Sequence, residues 1–279
     1  MAATIAPGPG WDAVRERLAG DTVMVIGAAD RGKSHFARWL VAGSPQPAAL
    51  LSADVGQPSL GPPACLAVAP RRPWRAPDRL WFVGDVTPVR HLLAIVTGAA
   101  RLAARARSVG AARIVIDSSG LVDGPLGRVL KYHKAIAAGV TDVVAIECDG
   151  ELAPLVVLLE TIARVHRVTP ADVARERDRD ERRRYRERRF RTEARGAEVL
   201  RFDSRGVVGT TWDVGTSAPL PDTLVGLLDR DGLCVRLGVV HAVRDRVLEV
   251  RARRPPPRTV AWLRLGTLRV TARGEEMRR

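Results

Sequence analysis

An α/β fold, with a parallel sheet flanked by helices and a small β-rich C-terminal domain after it, is what this sequence predicts. Three observations predict it. Apolar strand-like runs alternate with helical periodicity over most of the chain, a glycine loop sits between the first strand and the helix after it, and the texture changes to short alternating runs from about residue 200. The 279 residues suffice for a full core, and 46% of them are hydrophobic. Aromatics make up only 4%, so Leu, Val and Ala must supply most apolar contacts.

A Pro/Gly-rich lead-in, residues 1–20, carries a short helical pattern in WDAVRERLAG. TVMVIGA is a buried strand running into the glycine loop, and SHFARWLVAG is the helix after it. Strands follow at AALLSAD and LWFVGDV, then a long helix from about His91 to Arg107 and a strand at ARIVIDSS. A helix around LGRVLKYHKAIAAG, the strand DVVAIEC, the helix-like ELAPLVVLLETIAR and the run VHRVTP complete the alternation, which implies parallel strands with helices on both faces. Residues 171–196 are dense in both charge signs and read as a helix or a mobile lid. VVGTTWDVG, LCVRLGVVHAV, RVLEVRA and VAWLRLGTLRV, broken by RRPPPR, form the β-rich C-terminal domain, residues 200–279.

Gly27-Ala28-Ala29-Asp30-Arg31-Gly32-Lys33-Ser34 satisfies G-x-x-x-x-G-K-[ST] between a strand and a helix, as this phosphate-binding (Walker A) motif requires. The main domain is thus a P-loop NTPase. Backbone N–H groups from Gly27 through His35 are expected to cradle phosphates, Lys33 to reach the β- and γ-phosphates, and Ser34 to offer its hydroxyl to Mg²⁺. A carboxylate at a strand end must accompany them. Asp54, after AALLSA, and Asp117, at the end of RIVID, are the two candidates, the lesser alternative for either being a strand-end cap or turn residue. The turn-rich SADVGQPSLGPP crosses the mouth of the site, which favours Asp54 and brings Gln57 within reach of the phosphate or of the metal's water.

The net charge of +14 and a pI near 11.2 fit a polyanionic partner such as nucleic acid, and fit equally an arginine-rich composition from codon bias, since Lys33, Lys131 and Lys134 are the only lysines. Cys65, Cys148 and Cys234 are scattered and odd in number, against both a disulfide framework and a clustered zinc site. With no signal-like N-terminus and no apolar run of membrane-spanning length, a cytoplasmic protein without a membrane partner is expected.

The loop GAADRGKS, then DVGQPSLGPP, FVGDVTP, IDSSGLVDGPLGRVLKYHK and RERDRDERRRYRERRFR resemble, in this order, the polynucleotide 5′-hydroxyl kinase family of pre-mRNA cleavage, tRNA splicing and pre-rRNA processing, with its prokaryotic relatives. The likeness spans about 20 to 200 and implies a P-loop kinase domain at 21–199, with the arginine-rich lid at 171–196, moving the γ-phosphate of ATP to the 5′-OH of RNA or DNA. It implies that Asp54, in the D-x-G-Q position, serves the metal and is the general base, while Ser52 stands where an earlier acid is often found. Ser118-Ser119-Gly120-Leu121 aligns with the substrate-clasping T-x-G-W element without its tryptophan. The likeness places Arg177 and Arg182 at the lid positions over the transferring phosphate, with Arg186 and Arg189 behind them toward substrate. Lys131 and Lys134, one turn apart on the helix after the clasp, are expected either to contact substrate phosphates or to lie on the surface. No long N-terminal β-domain precedes the loop, so adenine is expected near a shorter element around Trp11. Two other readings stay open: an ATP-binding RNA-processing scaffold without turnover, and a P-loop NTPase of another class, although N-K-x-D and His/Cys clusters are missing.

Overall fold

The computed structural model describes residues 6–70, 77–171, 176–203, 205, 207–209 and 219–277. Strand β1 (Thr22–Ile26) is fully buried, as TVMVI requires, and leads through the glycine loop into α2 (Lys33–Ala42), with α1 (Trp11–Arg17) packed beside it. β2 (Ala48–Ala53), β5 (Arg113–Ser118), β6 (Asp142–Ile146) and β7 (Arg164–Val168) join β1 in parallel, in the order β7-β6-β1-β5-β2. Placing β1 at the centre puts its C-terminal end, and so the glycine loop, beside the ends of β5 and β6. Ligands of open α/β sheets bind at this edge.

The period of two along each strand divides the core. Met24, Ile26, Ile114 and Ile116 face α3 (Leu92–Ser108), α4 (Gly124–Ala138) and α5 (Ala153–Glu160), while Val23, Val25 and Val115 face α1 and α2. α4 ends at Gly139 in the left-handed region, a helix stop visible in AIAAG.

The sheet is mixed. β3 (Cys65–Ala69) and β4 (Arg79–Phe82) run antiparallel on the flank of β2, so LWFVGDV is not one of the parallel strands that the alternation implied. CLAVA, short and shut between prolines, carries no period that a sequence reading can use; the antiparallel pairing follows from the short connection, too short for a helical crossover. The run 151–164 is helical only to Glu160, because the chain turns at once into β7.

The β-rich C-terminal part continues the same sheet: β11 (Cys234–Arg244) meets β4 at Cys234 and Leu80, and β10 (Thr223–Leu228), β13 (Trp262–Arg269) and β9 (Val207–Gly209) follow. β12 (Val247–Ala252) pairs with β11 and with β8 (Glu198–Asp203). β8 begins before residue 200, hidden in the sequence by the charged run it follows. Of VVGTTWDVG only the first three residues lie within the described strand; residues 210–215 fall outside the described residues. α6 (Arg179–Ala194) occupies the charged segment. Its start is written as Asp178-x-x-Glu181, a capping box in which Asp178 accepts from the Glu181 N–H at 2.7 Å and Glu181 accepts from the Asp178 N–H at 3.1 Å. No described helix is long and apolar enough to cross a membrane.

Candidate active site

The glycine loop turns into α2 at Gly32, whose φ of 83° is left-handed and suits a residue without a Cβ. Gly120 is needed for another reason: a Cβ there would meet the Ala29 backbone nitrogen at 2.7 Å, so the segment after β5 lies directly against the loop. That contact brings Asp117 to Ser34, whose hydroxyl donates to the carboxylate at 2.7 Å. Burial pushes the Asp117 carboxyl above its ordinary value, against the hydrogen bond from Ser34 and the charge of Lys33. The Lys33 amine folds back to donate to the Ala28 carbonyl at 2.6 Å, and its pKa is lowered by burial despite Asp117, Asp54 and Asp30 nearby.

Lys33, Ser34, Asp54, Gln57, Arg177 and Arg182 line one cleft of about 350 Å³. Asp54 Oδ1 accepts from the Gly56 and Gln57 N–H groups at 2.8 and 2.9 Å, an Asx turn that shapes SADVGQ. Gln57 Nε2 donates to the Arg182 carbonyl at 3.2 Å, tying this turn to the lid helix, while its Oε1 is buried without a hydrogen-bond partner. Ser52 is buried beside Asp117 in register and accepts from the Ser59 N–H, so it closes the turn at 3.1 Å.

Several residues singled out from sequence do something else. Ser118 and Gly120 line the cleft, but the Ser118 hydroxyl is spent on the Val25 carbonyl at 2.6 Å. Ser119 accepts from Lys131, with its hydroxyl 3.1 Å from the amine. Lys131 and Lys134 have no exposed surface, which removes the surface alternative and leaves neither amine lining the cleft; they lie beneath it, where α4 packs under the ends of β2 and β5. Burial, together with the neighbouring lysines, lowers Lys131 well below its ordinary value, and burial lowers Lys134 to about 8. Trp11 is also fully buried, packed on Phe36 and Trp39, so no face of its ring is open to adenine.

Arg177 and Arg182 reach the cleft, where both pair with Asp30 of the glycine loop at 3.0 and 2.7 Å. Arg186 and Arg189, expected toward substrate, are engaged elsewhere. Arg186 makes a two-pronged pair with Glu276, one bond at 2.7 Å, and Arg189 donates to the Gly61 carbonyl at 2.6 Å while lying over Tyr185. Tyr185 in turn donates to the Pro58 carbonyl at 2.6 Å. Sequence reasoning missed Tyr185, Glu276 and the side chain of Asp30, because each acts through a partner far along the chain. Among the described residues no group of three or more His, Cys, Asp or Glu is arranged to hold a metal. Ser34, Asp54, Asp117 and the unpartnered Gln57 Oε1 offer hard oxygens at the cleft, a donor set that fits Mg²⁺ held by one or two carboxylates together with phosphate.

The chain is similar to two archaeal proteins named polyribonucleotide 5′-hydroxyl-kinase. One, from Thermococcus kodakarensis, is 25% identical over 92% of this chain and 90% of its own length; the other, from Pyrococcus horikoshii, is 24% identical over 92% and 88%. A solved structure of a wild-type Clp1p–Pcf11p complex shares the fold, with a TM-score of 0.66 at 12% identity, covering 93% of this chain and 77% of that one. The model of the mRNA cleavage and polyadenylation factor CLP1 P-loop matches residues 27–192, from the first glycine of the loop to the last turns of α6. Since that stretch is well over half of the chain and contains both walls of the cleft, the chain belongs to the CLP1 P-loop family.

Proposed function

We propose that this protein is an ATP- and Mg²⁺-dependent polynucleotide 5′-hydroxyl kinase. One observation carries the reading: a phosphate loop with its serine bonded to a buried acid faces two arginines of the lid segment, Arg177 just before α6 and Arg182 on it, across a single cleft. Similarity to relatives named as kinases of this kind, over nearly their whole length, supports the acceptor.

In this reading the backbone from Gly27 to His35 binds the phosphates of ATP, and Lys33 exchanges the Ala28 carbonyl for the β- and γ-phosphate oxygens. Ser34 with Asp117 or Asp54 would hold Mg²⁺, which would supply positive charge against those phosphate oxygens. Asp54 accepts the proton of the 5′-hydroxyl as its oxygen attacks the γ-phosphorus and the bond to ADP breaks. Arg177 and Arg182 stabilise the charge spread over the transferring group. Gln57 and the backbone at Ser118–Gly120 position the acceptor strand, with Lys131 holding Ser119 from beneath and Lys134 adding positive charge under the cleft below about pH 8.

The test is incubation with γ-labelled ATP and 5′-hydroxyl RNA and DNA oligonucleotides. Label is expected on the 5′ end and lost on Lys33→Ala. A folded, ATP-binding protein that labels neither acceptor overturns the proposal.

A further inference from the structure

Asp30 sits inside the phosphate loop with a φ of 60°, and its side chain is only 3% exposed. Its two oxygens accept four hydrogen bonds, all from the lid segment: the Arg177 N–H at 3.0 Å, Arg177 Nε and a terminal nitrogen at 3.1 and 3.0 Å, and Arg182 at 2.7 Å. Four bonds fill the accepting capacity of a carboxylate, so this side chain has no oxygen to spare for a metal or an acceptor hydroxyl. Burial works against the ionised form, but the hydrogen bonds from Arg177 and Arg182 outweigh it and hold the carboxyl below its ordinary value.

The arginines are not used up by this contact. A guanidinium carries five N–H donors, of which Arg177 spends two on Asp30 and Arg182 one, and both side chains still line the cleft, 37% and 34% exposed. The backbone of Asp30 meanwhile belongs to the loop that wraps the phosphates. One residue therefore touches the loop through its main chain and the lid through its side chain.

We propose that Asp30 is a positioning residue that docks the lid on the phosphate loop, holding Arg177 and Arg182 at the cleft before the transferring phosphate arrives. Its kinetic consequence rests on the kinase reading above; the docking itself does not. Without the dock, the two long side chains and the first turn of α6 must be ordered during the reaction, so the loss falls on the chemical step rather than on nucleotide binding.

Asp30→Asn keeps the shape and removes the charge. Two readouts apply. In ligand-free protein, tryptic cleavage within Arg179–Ala194 is expected to quicken about tenfold, the effect of losing charge-assisted bonds of this strength. In turnover, kcat is expected to fall on the order of 10- to 100-fold with the KM for ATP within about threefold. In an Arg177→Gln/Arg182→Gln background Asp30→Asn should add nothing further to either. That double variant, altered on the more exposed side of the pair, carries the proteolysis readout should Asp30→Asn not fold. Unchanged cleavage with unchanged kcat overturns the proposal, as does a loss of ATP affinity as steep as the loss of kcat. If the wild-type protein transfers no phosphate, the kinase reading fails while cleavage still decides the dock.

Discussion

Lys134 brings its charge to full burial with one long contact, 3.4 Å to the Ala53 carbonyl, to receive it. Burial lowers its pKa to about 8, against the attraction of Asp54 and Asp117, from the ordinary 10.5. Because the folded pKa lies below the unfolded one, the cost is carried in full below pH 8 and relieved as pH rises toward 10.5. Lys134→Met, similar in volume, is therefore expected to stabilise the protein at pH 7, by on the order of 2 to 3 kcal/mol. Denaturant unfolding of both proteins from pH 7 to 10 checks this: the gap should narrow with rising pH, and a constant gap contradicts the assignment. Lys33 and Ser34 were legible in sequence because a loop motif binds them by spacing to a strand and a helix. Lys134 was not, since helical spacing says which residues share a face and nothing of what covers it. Asp30 was legible only as a loop position; its side-chain partner Arg177 lies 147 residues away.

At the scale of elements, α6 shows what the charged run is for. Its one buried apolar side chain is Phe190, so packing alone cannot hold it. Polar contacts hold it on two sides: Tyr185 and Arg189 reach the turn after β2, and Arg183, Arg186 and Glu187 reach Glu276. The Arg186–Glu276 pair is well shielded, with side chains 17% and 11% exposed, so it outweighs a surface pair. Glu276→Gln should lower stability by about 1 to 2 kcal/mol and speed cleavage of α6, while the affinity for ATP, set at the glycine loop, stays as it was. Thermal melts and nucleotide titrations of the variant read the two effects separately; weakened nucleotide binding would show instead that the anchor reaches the loop. The charge pattern marked 171–196 as a helix or lid without fixing where α6 starts, which the capping box at Asp178 and Glu181 sets. The anchor of α6 could not be read, because Glu276, in a short turn folded back on Val270, lies 90 residues from its partner Arg186.

At the scale of the molecule, the change of texture near residue 200 is a change in strand pairing rather than a break in the core. Phe82 and Cys65 from the flank of the parallel strands, Phe190 from the lid helix, and Leu224, Cys234 and Leu268 from the C-terminal strands belong to one buried cluster. Backbone bonds cross the same joint: the Thr267 and Leu268 N–H groups both donate to the Gly84 carbonyl, at 3.0 and 3.1 Å, and the Thr267 hydroxyl donates to the buried Asp85. A chain ended near residue 197 would expose Leu80 and Phe82, leave the β4 edge unpaired and strip α6 of Glu276. The two parts should therefore unfold together. Calorimetry of the whole chain is expected to show one transition whose calorimetric and van't Hoff enthalpies agree, and residues 1–197 alone are expected to aggregate or to lack a cooperative melt. Two resolved transitions, the earlier one leaving nucleotide binding intact, would show that the C-terminal strands are an independent domain and that the lid is held by the P-loop part alone.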